Sequence, residues 1–205
     1  MEFGHRKPVR AAVMAICSIA LIVVARLWYL KEQGNFHPIT PGEAYRSAQM
    51  DRDELEDYIR KFKIRSIINL RGEEPDERYE EEISTCRKLG VSHFALGLSA
   101  DKAPSSREIK KLLRLFRVAP RAVLIHCLAG SDRAGLASAL WKVAADGASA
   151  SVVKRQRSIR YGHIPFGPTP VLDEFFDKRV STRGADMNTE KMTGKLFNRR
   201  EYAAD

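Results

Sequence analysis

Apolar runs of strand length alternate with amphipathic runs of helix length, and this predicts an α/β fold: a central, mostly parallel sheet flanked by helices. Two further observations organise the rest. An apolar stretch near the N-terminus predicts a transmembrane helix ahead of the sheet. One apolar run, Ala122 to Ile125, stops in a short glycine-containing loop that opens into a second apolar face at Leu136, Ala137, Ala139 and Leu140. A strand, a tight loop and a helix in that order place a ligand at the carboxyl end of the sheet.

The N-terminal segment comes first. Met1 to Arg10 is basic, Ala11 to Ala25 is uninterrupted apolar or small, and Leu27 to Leu30 continues past Arg26. Together they approach the ~20 residues that span a bilayer. Arg26 can snorkel, and Trp28 and Tyr29 suit the headgroup belt. Arg6, Lys7 and Arg10 hold the N-terminus on the cytoplasmic side, so in a bacterium the remainder is periplasmic. A cleaved signal peptide competes with this reading, but Val23 to Trp28 lacks a small-x-small cleavage pattern. We therefore expect a single-pass anchor over residues 1–30, a polar linker over 31–38, one domain over 39–180 and a polar, disordered tail over 181–205.

Within the domain, Ile39 to Tyr45 is a short extended entry with Pro41-Gly42 as a turn. A helix follows from Asp51 to Phe62, with Asp51 as cap, Glu54 as its capping-box partner, and Leu55, Tyr58, Ile59 and Phe62 as its apolar face. Ser66 to Leu70 is a buried strand, and Asp76 to Leu89 an acidic helix closed by Gly90. Ser92 to Leu98 is the next strand and Ala100 to Pro104 a loop. Ser105 caps a helix to Val118 with Glu108 completing the box. Beyond the glycine-containing loop we expect helices at Arg133 to Asp146, Ala148 to Tyr161 and Thr169 to Arg179. The second carries Lys154, Arg155, Arg157 and Arg160, a basic face able to meet lipid headgroups.

Net charge is +9, which suits acidic partners. No basic stripe is interleaved with aromatics as single-strand binders require, so nucleic acid is not an expected partner. Cys17, Cys86 and Cys127 form neither a disulfide framework nor a metal knuckle, and no metal or cofactor is expected. Cys86 reads as a buried structural thiol.

The loop itself carries the chemistry. Cys127 opens it and Arg133 closes it, with five residues between. The N–H groups from Leu128 through Ala129, Gly130, Ser131 and Asp132 to Arg133 can ring the oxygens of a phosphate monoester, and the helix dipole adds to the field. Gly130 lets the backbone bend its donors inward. Arg133 supplies a planar, two-pronged contact that lysine cannot copy. Cys127 then lies under the phosphorus, and its thiolate attacks in line to give a phosphocysteine. His126 precedes it on a strand, should point away, and is assigned to ordering the loop by hydrogen bonding. Asp132 opposes a bound dianion unless it turns outward or activates water.

His126, Cys127, Gly130, Arg133 and Gly135 match, residue by residue, the phosphate-binding loop of the cysteine-based protein tyrosine and dual-specificity phosphatases, which the chain resembles. Tyr45-Arg46-Ser47-Ala48-Gln49 and Ile68-Asn69-Leu70-Arg71 resemble stretches of the compact, bacterial, single-domain members. The resemblance implies a dual-specificity phosphatase-like fold, a general acid on a loop upstream of the cysteine, and Arg46 and Arg71 near the phosphate pocket. Asp101, 26 residues before Cys127, is the candidate acid. One departure stands out: relatives usually place Ser or Thr after the arginine, and this chain has Ala134. That hydroxyl assists departure of the thiolate, so its loss predicts slow hydrolysis of the intermediate.

Expected substrates are a phosphotyrosine or other phosphoprotein, or a membrane phospholipid or lipid A phosphate. Relatives acting on inositol lipids often have Lys at the place of Leu128, which argues against highly phosphorylated inositols. Two alternatives compete: a catalytically impaired phosphate-binding module, motivated by Ala134, and a thiol enzyme of the rhodanese or arsenate reductase type.

Overall fold

The structure, a computed structural model, describes residues 6–32, 34–164 and 170–178. In chain order the elements are α1 (Arg6–Glu32), β1 (His37–Thr40), β2 (Ala44–Ser47), α2 (Arg52–Phe62), β3 (Ser66–Asn69), α3 (Glu77–Leu89), β4 (Ser92–Ala95), α4 (Ser106–Val118), β5 (Val123–His126), α5 (Asp132–Ala144), α6 (Ala150–Arg155), a 3-10 turn (Ile159–Tyr161) and α7 (Pro170–Phe176). The strands form one sheet in the order β1-β2-β5-β3-β4. Among the described residues only the β1–β2 hairpin is antiparallel; β2, β5, β3 and β4 run parallel. The expected α/β architecture with a mostly parallel sheet is the one observed.

Each strand is four residues long, so period-2 alternation gives each face only two side chains per strand. Val123, Ile125 and Cys127 join the cluster under α4, α5, α6 and α7, with Leu112, Leu136, Trp141, Val153 and Leu172. Leu124, on the opposite face, joins Leu55, Ile59 and Cys86 of α2 and α3. Strand β5 is central, and its His126 lies opposite Ser47 of β2 on one side and Asn69 of β3 on the other. The chain therefore leaves the sheet at Cys127 between the carboxyl ends of two neighbours, where a parallel sheet opens its crevice.

Local signals set the helix ends. Asp51 accepts from Glu54 N at 2.9 Å, and Asp76 from Tyr79 N at 2.8 Å. Ser105 and Glu108 complete a reciprocal capping box, and Gly90 closes α3 at φ 68°. Such caps contribute on the order of 1 kcal/mol each. The box expected at Asp51 is half made, because the Glu54 carboxylate lies against Gly34 instead; a Cβ at that glycine would sit 2.5 Å from its Oε1.

The segment from Ala148 to Tyr161 is not one helix. It breaks between α6 and the 3-10 turn because Arg157 turns inward, donating to Leu172 O at 2.5 Å and pairing with Asp173 at 2.5 Å. Its basic face is correspondingly reduced: Lys154, Arg155 and Arg160 are exposed, and Arg157 is buried. The expected linker is also shorter than read, since Gly34 already accepts a backbone hydrogen bond from Ala48 N at 2.7 Å and β1 begins at His37. The expected tail lies outside the described residues.

The N-terminal helix α1 includes an 18-residue stretch, Val9–Arg26, of mean hydropathy 2.1, long and apolar enough to cross a membrane. Its side chains, Ile16, Ile19, Leu21 and Ile22 among them, are exposed.

Candidate active site

The loop leaving β5 is held by its carbonyls. Leu128 O accepts from Gln49 N at 3.2 Å, and Ala129 O from Asn35 Nδ2 at 2.9 Å. Gly130 O and Ser131 O both accept from Arg46 Nη2, at 2.6 and 2.9 Å. Ser131 O also takes Gly135 N at 2.8 Å, the first hydrogen bond of α5. Four consecutive carbonyls thus point outward and are satisfied. A trans peptide sets N–H opposite C=O, so the N–H groups of Ala129, Gly130, Ser131 and Asp132 face the interior of the loop. At the head of α5 they join the positive end of its dipole.

Gly130 permits this path twice over. Its φ is +71°, and a Cβ there would lie 2.6 Å from Ala48 N and from Ser47 C. Backbone packs on backbone at that point, and no side chain fits. Gly135 permits the next contact: a Cβ would come within 3.2 Å of Arg46 Nη2 and of Gln156 O.

Arg46 was expected to line the phosphate pocket. The structure places it behind the loop instead, fully buried in the sheet. Besides the two loop carbonyls it donates to Gln156 O at 2.7 Å, and its guanidinium stacks 4.4 Å over the Tyr161 ring. Burial lowers its pKa to about 10, although Cys127, Tyr161 and Asp132 pull the other way. Arg71, also expected near the pocket, is bonded to Gln49, Glu74 and Asp76, the last at 3.1 Å, so its charge is spent on those partners.

Cys127 is 3% exposed at the floor of the loop. Arg133, half-buried at the far end, donates to Leu98 O at 3.2 Å and reaches Leu70 O at 3.5 Å. Those carbonyls lie just beyond β4 and β3, so the arginine ties three strand ends into one mouth. Asp101 is exposed on the loop that Leu98 begins, with its N–H donated to Ser99 Oγ at 3.1 Å. Asp132 turns outward. Its carboxylate meets His163 Nδ1 at 2.7 Å, and His163 Nε2 meets Asp173 of α7 at 3.1 Å. Burial pushes the Asp132 carboxyl up, but His163 and Arg157 outweigh it and hold it below the usual range. The expected conflict between Asp132 and a bound dianion is relieved by that geometry. Ala134 is fully buried, and Ser138 Oγ donates to its carbonyl at 2.7 Å.

His126 points away from the loop, as expected, but its ring does not bond the loop. Its Nε2 reaches Glu82 of α3 at 3.1 Å, and Glu82 also takes His93 Nε2 at 2.6 Å and Asn69 Nδ2 at 3.1 Å. Burial raises the Glu82 carboxyl, and the two imidazoles overcome that and bring it down to about 2. Cys86, one helical turn on, is pushed up to about 12 by burial and by Glu82, which makes it an inert thiol. Asn69 enters a reading of the sequence only within the stretch Ile68-Asn69-Leu70-Arg71, and Glu82, Asn35, Gln156 and His163 escape it. Only Glu82 leaves a trace: it shares a helical face with Cys86, four residues on, so a carboxylate had to be buried with the thiol. Among the described residues no group of three or more His, Cys, Asp or Glu side chains could hold a metal.

Comparison with solved structures gives the fold. Pseudomonas aeruginosa TpbA superposes with a TM-score of 0.57 at 21% identity, over 80% of this chain and 91% of that one. A second TpbA structure, in complex with pTyr, gives 0.57 at 20% identity over the same shares. The catalytic domain of the PP-IP phosphatase SIW14 from Saccharomyces cerevisiae, in complex with citrate, gives 0.58 at 23% identity, over 80% of this chain and 93% of that one. Comparison with curated protein sequences gives no match. A family model described as the tyrosine phosphatase family matches residues 29–155, which run from the end of α1 through the phosphate-loop candidate to the end of α6. That span covers more than half of the sequence, so the chain belongs to the tyrosine phosphatase family and is a cysteine-dependent phosphatase.

Proposed function

We propose that the enzyme hydrolyses phosphomonoesters through a phosphocysteine on Cys127, with a phosphoprotein or a membrane lipid phosphate as substrate. The observation that carries this is the loop whose four carbonyls are drawn outward by Gln49, Asn35 and Arg46, leaving a ring of inward N–H donors above a buried thiol. Such preorganised donors are worth most where charge accumulates in the transition state. In the first step the Cys127 sulfur bonds phosphorus as the P–O bond to the leaving group breaks. Arg133 leaves the Leu98 carbonyl to grip two equatorial oxygens, and Asp101 gives its proton to the departing oxygen. In the second, water attacks phosphorus, Asp101 takes its proton, the S–P bond breaks, and inorganic phosphate leaves.

TpbA bound to pTyr supports an aryl phosphate substrate, and α1 supports one at a membrane. Arg6, Lys7 and Arg10 support a cytoplasmic N-terminus and, in a bacterium, a periplasmic domain. Ala134 supports slow release of phosphate from the intermediate. Hydrolysis of para-nitrophenyl phosphate by the full chain tests the reading. Cys127→Ser should abolish turnover and retain vanadate binding, and Asp101→Asn should lower kcat far more than it changes KM. An Ala134→Ser variant should shrink any pre-steady-state burst while raising the steady rate. Turnover surviving in Cys127→Ser would sink the mechanism.

A further inference from the structure

We propose that the mouth of the phosphate loop is built against the membrane that α1 enters, and that its substrate is a phosphomonoester in the headgroup of a lipid of that membrane. The inference rests on the phosphatase reading above and on α1 as a span.

The loop is not on a tether. Gly34 and Asn35, two and three residues after the end of α1 at Glu32, both adopt left-handed backbone, at φ 57° and 46°, and so turn the chain sharply into the domain. Asn35 then donates to Ala129 O of the loop at 2.9 Å and to Tyr161 O at 3.0 Å, while Gly34 O takes Ala48 N. The end of the helix and the rim of the loop are thus joined by hydrogen bonds within three residues of Glu32. A second contact sets the height. Arg26 Nη2 donates to Arg160 O at 3.4 Å, and Ile22 and Val23 of the span share a cleft with Ile159 and Arg160. The 3-10 turn therefore stands beside the last turns of the span, where hydrocarbon meets headgroup.

The side chains at that level fit the position. Leu128 and Ile159 are each 55% exposed and Ile164 is 42% exposed. Asn35 bridges Ala129 and Tyr161, which joins Leu128 and Ile159 in one rim, and Ile164 follows His163, which bonds Asp132 of the loop; Leu128 projects from the loop itself. Arg26 and Arg160 flank them, with Lys154 and Arg155 exposed on α6. Trp28 and Tyr29 are exposed on α1 itself. Apolar tips ringed by cations and aromatics are the composition of a membrane interface, not of a rim that meets water. A phosphate at headgroup depth reaches this loop without leaving the bilayer.

The test uses the full chain in phosphatidylcholine vesicles containing phosphatidic acid, with para-nitrophenyl phosphate and a phosphotyrosyl peptide as soluble comparisons. Ile159→Asp combined with Ile164→Asp should lower phosphate release from the vesicles at least tenfold and leave hydrolysis of the aryl phosphate within twofold. A second readout does not depend on activity: Ile159→Trp in a Trp28→Phe background should be quenched by brominated lipid, and Val118→Trp in the same background should not. Absence of quenching at position 159 overturns the placement. Quenching with equal loss on vesicle and soluble substrates, or release from the peptide alone, overturns the substrate class. A wild-type chain inactive on all three substrates strikes the phosphatase reading and leaves the placement to be judged by quenching.

Discussion

The two faces of the sheet support the same loop by different means. On the α3 face the support is a carboxylate at the centre of donors: Glu82 gathers His126, His93 and Asn69 from three adjacent strands. It holds the end of β5 and touches no loop atom. On the α5 face the support is a cation at the centre of acceptors: Arg46 gathers the carbonyls of Gly130, Ser131 and Gln156. It holds the loop backbone itself, and its three hydrogen-bond acceptors are all neutral. A carboxylate surrounded by imidazoles is a local, titratable lock. A buried guanidinium among carbonyls leaves a positive charge beneath the loop, which suits an anion without competing for it. The difference implies that the α5 face sets the chemistry and the α3 face sets the frame.

The harshest way to break this distinction is Arg46→Met. It leaves the buried carbonyls of Gly130 and Gln156 without a donor, and that of Ser131 with Gly135 N alone, so stability should fall by about 3–5 kcal/mol, and vanadate affinity should fall with it. Arg46→Lys keeps the charge but not the fork, and should recover stability more than it recovers kcat. Equal recovery of both would show that charge alone matters. Gly130→Ala comes next. Its Cβ meets backbone at 2.6 Å with φ at +71°, so the loop must move as a unit. Turnover should drop on the order of 100-fold, the scale of a misplaced oxyanion donor, with thermal unfolding shifting by only a few degrees. A variant that unfolds before it loses activity would place the strain in the frame instead.

Both supports were hard to see in the sequence, for the same reason. Helix ends were legible because their partners are local: Asp51 with Glu54, Ser105 with Glu108, and Gly90 at a left-handed cap. The apolar runs of β3 and β5 were legible because a parallel sheet covered on both faces needs unbroken hydrophobic strands. The Cys127 loop was legible because its cysteine, glycines and arginine lie within nine consecutive residues, at a spacing that matches a family motif. The positions of Arg46 and Glu82 depend on long-range neighbours, Gly130 being 84 residues from Arg46 and His126 44 from Glu82. No periodicity encodes such pairs. The break between α6 and the 3-10 turn has the same origin. Local propensity favours continuing the helix, and it yields because Arg157 finds Asp173 and Arg46 takes the Gln156 carbonyl.

A milder test addresses the frame. The Glu82 carboxyl falls from its ordinary 4.5 to about 2 in the folded protein. A depressed carboxylate contributes stability that is complete above the ordinary value and disappears as pH falls through the folded one. Urea unfolding of the wild type should therefore lose stability between pH 4.5 and about 2. Glu82→Gln should be less stable at pH 7 and have a shallower slope over that window. Identical acid slopes in the two proteins would remove the carboxylate from its role as lock.

The smallest expected effect is the most discriminating. His163 joins Asp132 of the loop to Asp173 of α7, on the Arg46 face, and shares no partner with Glu82. An imidazolium satisfies both carboxylates, whereas a neutral ring satisfies one. His163→Asn should cost about 1 kcal/mol, since Arg157 still pairs with Asp173. Combined with Glu82→Gln, the stability losses should add within ~0.5 kcal/mol, because the two groups act on opposite faces. Their effects on kcat should not add, since each displaces the same loop and the second change acts on donors already misplaced. Additive rates with coupled stabilities would reverse the assignment, making one continuous network of what the structure shows as two supports meeting at Cys127.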